Sequence, residues 1–104
     1  MHNVSRLELM ADNGELNKIT AILNKTPNTT YTVIRNVMSH GVCGEDADSG
    51  VALENNYVIA FCPPDRLKVT LEAIRGVLNT FGGACFVSEA QEVKSMRCVN
   101  QLEN

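Results

Sequence analysis

The order of its apolar patterns constrains this chain more than any other feature. An alternating strand pattern, a one-sided helix pattern and a second strand pattern follow one another, and the same series then repeats. A Gly- and acid-rich stretch from Ser39 to Asn56 separates the two halves. The order βαβ and then βαβ restricts the fold to a few choices, and the separating stretch is predicted to be the working part of the molecule.

The first half begins with a predicted strand and helix. Residues 6–9 alternate charged and apolar side chains, which is typical of a half-buried strand. Asp12 stands three residues before Glu15, the spacing of a capping box. Apolar residues then recur at helical intervals, so a helix is predicted from Asn13 to Lys25, ending before Pro27.

Two further strands are predicted around the long loop. The second runs from Tyr31 to about Met38 and is rich in β-branched and aromatic residues. The third, Tyr57 to Cys62, is apolar on both faces, which favours a central place in the sheet. Between them, Gly residues and acids in 39–56 show no apolar period and predict a loop.

The second half repeats the series. Asp65 is predicted to cap a helix whose apolar stripe extends from Leu67 to Phe81 and that ends at Gly82. The fourth strand is predicted at 84–87, and residues 92–99 either continue it or form a short additional strand.

These elements predict one domain, residues 1–104, of the α+β class. Right-handed crossovers give a ferredoxin-like βαββαβ fold with a four-stranded antiparallel sheet and two helices on one face. The other face of the sheet is left bare, which predicts self-association.

Composition excludes several classes of function. The net charge is −3, from nine Lys and Arg against twelve Asp and Glu, so no broad electropositive surface for nucleic acid is expected. No apolar run approaches the roughly 20 residues that cross a bilayer, so no membrane insertion is expected. Residues 1–6 lack the order of a signal peptide. The chain is therefore predicted to be cytoplasmic.

The cysteines and histidines do not predict a metal site. Cys62 and Cys85 fall within apolar strand patterns, where a thiol acts as a small buried hydrophobe. Cys43 and Cys98 are expected to be more exposed and could pair, although their spacing does not require it. The histidines are two in number and no Cys-x-x-Cys occurs, so no metal is expected.

No catalytic residues are predicted, because no Ser-His-Asp or Cys-His arrangement can be assembled from the sequence. Three segments could instead bind an anion, and each also has an ordinary structural interpretation. Ser39-His40-Gly41 is either a main-chain anion nest or an ordinary strand-exit turn. Gly82-Gly83 is either a helix C-cap or a close approach to phosphate, and Arg97 is a phosphate fork or a surface charge. Together they suggest a nucleotide-sized anionic ligand.

At this point the chain resembles the PII signalling family, and more narrowly its PII-like branch tied to carboxysomes and inorganic-carbon uptake. Tyr31-Thr32-Val33 leads into the long loop as that family's second strand leads into its T-loop, here 39–56. Pro64-Asp65 opens the second helix, and the run from Gly82 to Val87 looks like the family's B-loop, here 82–84, with its following strand.

The resemblance implies a homotrimer that binds adenine nucleotides in the clefts between subunits. It also implies a set of nucleotide-binding residues. By position these would be Met10, Thr32, Val37, Met38, Phe61 and Cys62 around base and ribose, and Ser39, His40, Gly41, Gly82, Gly83 and Arg97 at the phosphates.

Two departures from the nitrogen-sensing members refine the expected ligand. Ala84 stands where they carry a phosphate-binding lysine, and the T-loop lacks their modified tyrosine. The expected ligands are therefore ADP or AMP, with ATP weaker, and the resemblance adds bicarbonate at Ser39, His40 and Gly41. No catalytic cofactor is expected.

The function that follows is a non-enzymatic sensor whose T-loop controls a partner such as a membrane bicarbonate transporter. Two alternatives stay open. One is a small ferredoxin-like enzyme, such as an acylphosphatase or a nucleotide hydrolase. The other is a metal-responsive trimer like the copper-tolerance family, against which the few His and scattered Cys argue.

Overall fold

The computed structural model describes residues 1–40 and 53–95. Its elements alternate in the predicted order, with a 3-10 turn before the second helix. They are β1 (His2–Ala11), α1 (Asn13–Lys25), β2 (Thr30–Ser39), β3 (Leu53–Cys62), the 3-10 turn (Pro64–Arg66), α2 (Leu67–Phe81) and β4 (Cys85–Glu92).

The four strands form one antiparallel sheet in the order β2-β3-β1-β4. β1 pairs with both β3 and β4, so β1 and β3 are the inner strands. The two βαβ crossovers place α1 and α2 on the same face. The predicted ferredoxin-like fold and the central position of the third strand are therefore confirmed.

The hydrophobic core lies between the two helices and one face of the sheet. Alternate residues of β1 and β3 supply its sheet side, and the apolar stripes of α1 and α2 supply its helix side. Burying one such Leu, Ile or Val side chain stabilises the fold by about 1.5–3 kcal/mol. The fully or almost fully buried members are Leu7, Leu9, Ala11, Leu16, Ile19, Leu23, Val58, Ala60, Cys62 and Ile74.

Helix α1 begins and ends as predicted. Asp12 accepts a hydrogen bond from the Glu15 N–H at 2.7 Å, and Glu15 Oε1 accepts one from the Asp12 N–H at 3.4 Å. This reciprocal capping box satisfies two donors of the first turn. Thr26 is already extended, with φ −88° and ψ 117°, as expected of a residue that precedes a proline.

The predicted cap of the second helix was wrong. Asp65 lies inside the 3-10 turn, whose Arg66 N–H donates to the Pro63 carbonyl at 3.0 Å. Arg66 is the residue before α2, and its side chain makes no capping bond. Pro64 begins the turn because its fixed φ suits the first helical position, which places Asp65 one residue too early to cap α2.

The strands on either side of the predicted loop are longer than expected. β2 runs from Thr30 to Ser39, and β3 begins at Leu53 rather than Tyr57. Residues 53–56 therefore belong to a strand, because pairing with β2 satisfies their main chain whatever their side chains. Residues 41–52 of the predicted loop lie outside the described residues.

The last strand is also longer than predicted. β4 runs from Cys85 to Glu92 because β1 offers it pairing partners from Leu9 to His2. Residues 93–95 are not part of a strand. The rest of the predicted 92–99 strand region lies outside the described residues.

No helix of residues 1–40 and 53–95 packs on the second face of the sheet, which we call the open face. Arg6 and Glu8 of β1 form an ion pair there. Around this pair the face is apolar: Ile34 is 46% exposed and Phe86 is 66% exposed. In the part of the chain that the structure describes, no helix is long and apolar enough to cross a bilayer.

Candidate functional site

A bulge in β2 turns the base of the predicted T-loop toward the open face. Ile34 pairs with Tyr57, but Val37 pairs with Asn55, so β2 has one more residue than β3 between these pairs. Asn36 adopts φ 60°, a left-handed conformation that Asn tolerates better than most residues. The extra residue moves Val37 and Ser39 to the open face, whereas regular alternation would have given them the opposite side.

The bulge is held by Asn56, which is 1% exposed. Its Oδ1 accepts a hydrogen bond from the Asn36 N–H at 3.4 Å. Its Nδ2 donates to the Ala11 carbonyl at 3.1 Å and to Asn13 Oδ1 at 2.9 Å. One side chain therefore ties the base of the loop to the end of β1 and the start of α1.

Sequence reasoning missed Asn56 because it treated that residue as the end of the loop. A signal was present, since Asn56, Val58 and Ala60 share one strand parity and two of them are apolar. A polar residue at the head of a buried row is expected to satisfy nearby main-chain groups.

Met10 and Ser39 meet at the end of the open face. The Ser39 hydroxyl donates to Met10 Sδ at 3.5 Å, and Ser39 is 8% exposed. His40 follows directly and is exposed. Of the three residues predicted for bicarbonate, Ser39 therefore lies beside Met10, His40 is the exposed residue that follows it, and Gly41 lies outside the described residues.

The Gly82-Gly83 turn reaches the same end of the sheet. Both residues have positive φ, 88° and 102°, and the Gly82 N–H closes α2 on the Leu78 carbonyl at 2.7 Å. A Cβ on Gly83 would lie 3.3 Å from the Met10 carbonyl oxygen. The turn is therefore both a C-cap and a close main-chain approach, and the loop base and glycine pair come together around Met10.

The other predicted residues are spread over the sheet. Thr32 pairs with Ile59 in the middle of the open face, and Val37 lies near the loop end. Met38 is 75% exposed. Arg97 lies outside the described residues.

Phe61 lies far from Met10 within one chain. Its partner on β1 is Arg6, four residues from Met10, or about 13 Å at roughly 3.3 Å per residue. Phe61 lines a small cavity of about 200 Å³ with Val4, Thr30 and Ala90. Gly82 and Gly83 instead line a groove of about 670 Å³ between α2 and β4.

Cys62 does not present its side chain to this surface. It is fully buried in the core beneath the helices, because it has the strand parity of Val58 and Ala60 rather than that of Phe61. Of the residues predicted to contact the base and ribose, Cys62 could therefore contribute only its main chain.

The burial of Glu15 is a second feature that sequence reasoning missed, because it assigned this residue to capping alone. It is 4% exposed, and burial raises its pKa above the ordinary 4.5, while the hydrogen bond from the Asp12 N–H opposes this rise. The cap spacing was readable from the sequence, but the burial was not, because the Gly82-Gly83 turn that covers Glu15 comes from the other half of the chain.

The described residues include no group of three or more His, Cys, Asp or Glu side chains placed to hold a metal ion. The polar groups around Met10 and the glycine turn include the Ser39 hydroxyl, the Met10 carbonyl and the Glu15 carboxylate, and the exposed His40 follows Ser39 in the chain. A hydroxyl and an imidazole can both donate to an anion.

Known structures share this architecture. No protein-family model matches the sequence, and no curated protein matches it. CPII from Thiomonas intermedia K12, a nitrogen regulatory PII-like protein bound to ADP, AMP and bicarbonate, is similar at a TM-score of 0.75 and 18% identity, covering 91% of this chain and 98% of that chain. Arabidopsis thaliana PII bound to citrate is similar at a TM-score of 0.68 and 15% identity, covering 91% of this chain and 84% of that chain.

A protein of the DUF3240 family from Shewanella baltica OS155 shares the fold more distantly, at a TM-score of 0.57 and 16% identity, covering 91% of this chain and 96% of that chain. These likenesses establish the fold that the PII-like proteins have. They leave the ligand and the partner of this chain to be argued from its own residues.

Proposed function

We propose that this chain is a PII-like regulatory sensor of the branch associated with inorganic-carbon uptake. It binds ADP or AMP, with ATP weaker, together with bicarbonate, in clefts between the subunits of a homotrimer. Its T-loop, 39–56, then docks on or releases a partner such as a membrane bicarbonate transporter. The protein regulates and does not catalyse.

One observation carries this proposal: the convergence of Ser39 and Gly83 on Met10. The Ser39 hydroxyl lies 3.5 Å from the Met10 sulfur, and a Cβ on Gly83 would lie 3.3 Å from the Met10 carbonyl, so residues from both predicted loops contact Met10. Main-chain N–H groups without intervening side chains suit a phosphate, and the apolar Met10 suits the ligand's less polar part.

The distribution of the other predicted residues supports an inter-subunit site. Phe61 lies about 13 Å from Met10 along the sheet, so one ligand would need a neighbour to bring both kinds of contact together. The apolar open face, with Ile34 and Phe86 exposed, offers a surface for that neighbour. Three copies around an axis would close the assembly.

Bicarbonate is proposed at Ser39, His40 and Gly41, next to the nucleotide phosphates. The Thiomonas protein has a structure bound to ADP, AMP and bicarbonate, and the exposed His40 follows directly on Ser39 here. An anion seated there would touch the first residues of the T-loop, so its binding energy would depend on the loop's conformation. A tenfold preference for one loop state supplies about 1.4 kcal/mol of bias.

Calorimetric titration of AMP, ADP and ATP, each with and without bicarbonate, tests the proposal. We expect binding of ADP or AMP with one ligand per subunit of a trimer, and tighter binding in the presence of bicarbonate. Equal affinities with and without bicarbonate would remove bicarbonate from the function, and no binding of any adenylate would defeat the proposal as a whole.

An assay of phosphate release from ATP, ADP and an acyl phosphate separates the sensor from the ferredoxin-like enzymes. We expect no turnover above the uncatalysed rate. Release that is lost in a variant of the loop base would favour the enzyme instead.

A further inference from the structure

The carboxylate of Glu15 has one oxygen that the capping box does not use. Oε1 accepts the Asp12 N–H at 3.4 Å. Oε2 is shielded from solvent and has no hydrogen-bond partner among residues 1–40 and 53–95. A Cβ built on Gly83 would lie 3.9 Å from Oε2, so this oxygen lies directly behind the glycine turn.

An ordinary capping glutamate has no reason to be buried. The reciprocal bond needs one oxygen and forms equally well at the surface. Burying a carboxylate without a partner for its second oxygen costs free energy, so such a group calls for an explanation. Its position places a negative charge behind the main chain that is proposed to approach phosphate.

Among residues 1–40 and 53–95, no basic side chain forms an ion pair with Glu15. Asp12, on the same helix turn, is also acidic: the hydrogen bond from its N–H lowers the Glu15 pKa, and its charge raises it. Lys18 is three residues along, and its Nζ lies over the Phe81 ring, 5.5 Å from the centroid. Cys85 follows the glycine turn, and burial raises the pKa of its thiol to about 11, so it stays neutral.

We propose that Glu15 is a specificity-determining residue that discriminates adenylates by their charge. Its carboxylate lies behind Gly83 and repels a bound phosphate, and the repulsion grows with each phosphate that the ligand adds. The preference for AMP and ADP over ATP then has a cause besides the alanine at position 84. The inference rests on the proposed function, because it requires the phosphates to lie at the Gly82-Gly83 turn.

The test compares three ligands on three proteins. Wild type, Glu15→Gln and Glu72→Gln are titrated with AMP, ADP and ATP at pH 8, without divalent cations so that the phosphates keep their full charge. Gln at position 15 keeps an oxygen for the capping box. Glu72 is an exposed residue of α2, so Glu72→Gln makes the same change in net charge at a distance.

We expect Glu15→Gln to tighten binding by about threefold for AMP and tenfold or more for ATP, since the Coulomb energy scales with ligand charge. Glu72→Gln should stay within about twofold of wild type for all three, because exposed charges are screened. A merely structural role would change the three affinities by the same factor.

An equal change for the three adenylates, or an equal effect of the two variants, would overturn the inference and leave the proposed function standing. Failure of wild type to bind any adenylate would defeat both. Should Glu15→Gln not fold, Glu15→Met removes the charge at similar volume, and the same gradient from AMP to ATP is expected.

Discussion

Asn56 accepts a hydrogen bond from the main-chain N–H of Asn36 at 3.4 Å and thereby holds the one-residue bulge that decides which way the end of β2 faces. The amide nitrogen of Asn56 is bonded to Ala11 and Asn13 at the same time. The loop base, the end of β1 and the start of α1 consequently share one buried polar contact.

Replacing Asn56 should therefore destabilise the fold and loosen the site together. Asn56→Ala leaves the Ala11 carbonyl and the Asn36 N–H unsatisfied, which is expected to cost about 2 kcal/mol or more in unfolding free energy. Nucleotide affinity should also fall, because Ser39 loses its fixed place beside Met10. Urea denaturation and calorimetric titration measure the two effects.

Asn55→Ala is the matched control for Asn56→Ala. Asn55 is the preceding residue and faces the other side of β3, where it is half-buried. We expect a change of no more than about 0.5 kcal/mol in the control. Equal losses in the two variants would contradict the role given to Asn56.

The glycine turn makes a second prediction, with a control on the preceding helix. Gly83→Ala forces a Cβ onto a residue with φ 102° and toward the Met10 carbonyl at 3.3 Å, so both stability and nucleotide affinity should fall. Gly76→Ala places a Cβ in open space within α2 and should stabilise the protein by about 0.5–1 kcal/mol without changing affinity. Thermal denaturation and nucleotide titration compare the two variants. Unchanged nucleotide affinity in Gly83→Ala would show that the phosphate site does not lie at the glycine turn.

The proposed trimer is expected to be held together at the open face. Phe86, 66% exposed, lies on that face opposite Glu8, whereas Val69, 68% exposed, lies on α2. Phe86→Lys should yield monomers and Val69→Lys should leave the trimer intact, although both introduce the same charge. Light scattering gives the mass and circular dichroism checks the fold. A trimer that survives Phe86→Lys would place the interface elsewhere.

Glu15 predicts a dependence of stability on pH. Its pKa is raised in the folded state from the ordinary 4.5, with burial as the main cause, so the folded protein holds the proton more tightly than the unfolded chain. That contribution to stability is complete below pH 4.5 and is lost as the pH rises through the folded-state pKa. The unfolding free energy of wild type should therefore fall relative to that of Glu15→Gln over this range. Parallel pH profiles would show that Glu15 keeps its ordinary pKa.

The thiols of Cys62 and Cys85 should resist alkylation in the native protein. Cys62 is fully buried and Cys85 is partly buried, and burial raises the pKa of both, that of Cys85 to about 11, so neither forms much thiolate at pH 8. Iodoacetamide followed by mass spectrometry should label these two far more slowly in the native protein than after unfolding in urea. Labelling of Cys85 at the rate of an exposed thiol would contradict its place beside the core.

Most of the fold could be predicted because its signals are local. The capping box at Asp12 and the proline at 27 set α1 within one residue, and the repeated βαβ order with right-handed crossovers set the sheet. One error came from a competing signal next to the residue, and the other from a partner strand distant in the sequence. Asp65 was predicted to cap α2, but Pro64 begins a 3-10 turn that contains it. Residues 53–56 were predicted to be loop, but they pair with β2 and extend β3.

The candidate site, like the fold, could be predicted from the sequence only in part. The sequence indicated the two segments, Ser39-His40 and Gly82-Gly83, of which the structure places Ser39 and Gly83 beside Met10. It could not indicate that Cys62 faces inward, since one residue of strand parity decides between core and surface. Nor could it indicate the partners of Asn56 or the burial of Glu15, which depend on residues from other elements.

Periodicity and capping act over a few neighbouring residues, so the order of the elements, the handedness of their connections and the residues able to form a core could be predicted from the sequence. The direction in which the loop base faces, which depends on a bulge held by Asn56, and the place of a Glu15 oxygen next to Gly83 emerged only from the packed fold. Both depend on contacts between residues twenty or more positions apart, whose relative placement is settled when the sheet and helices pack together.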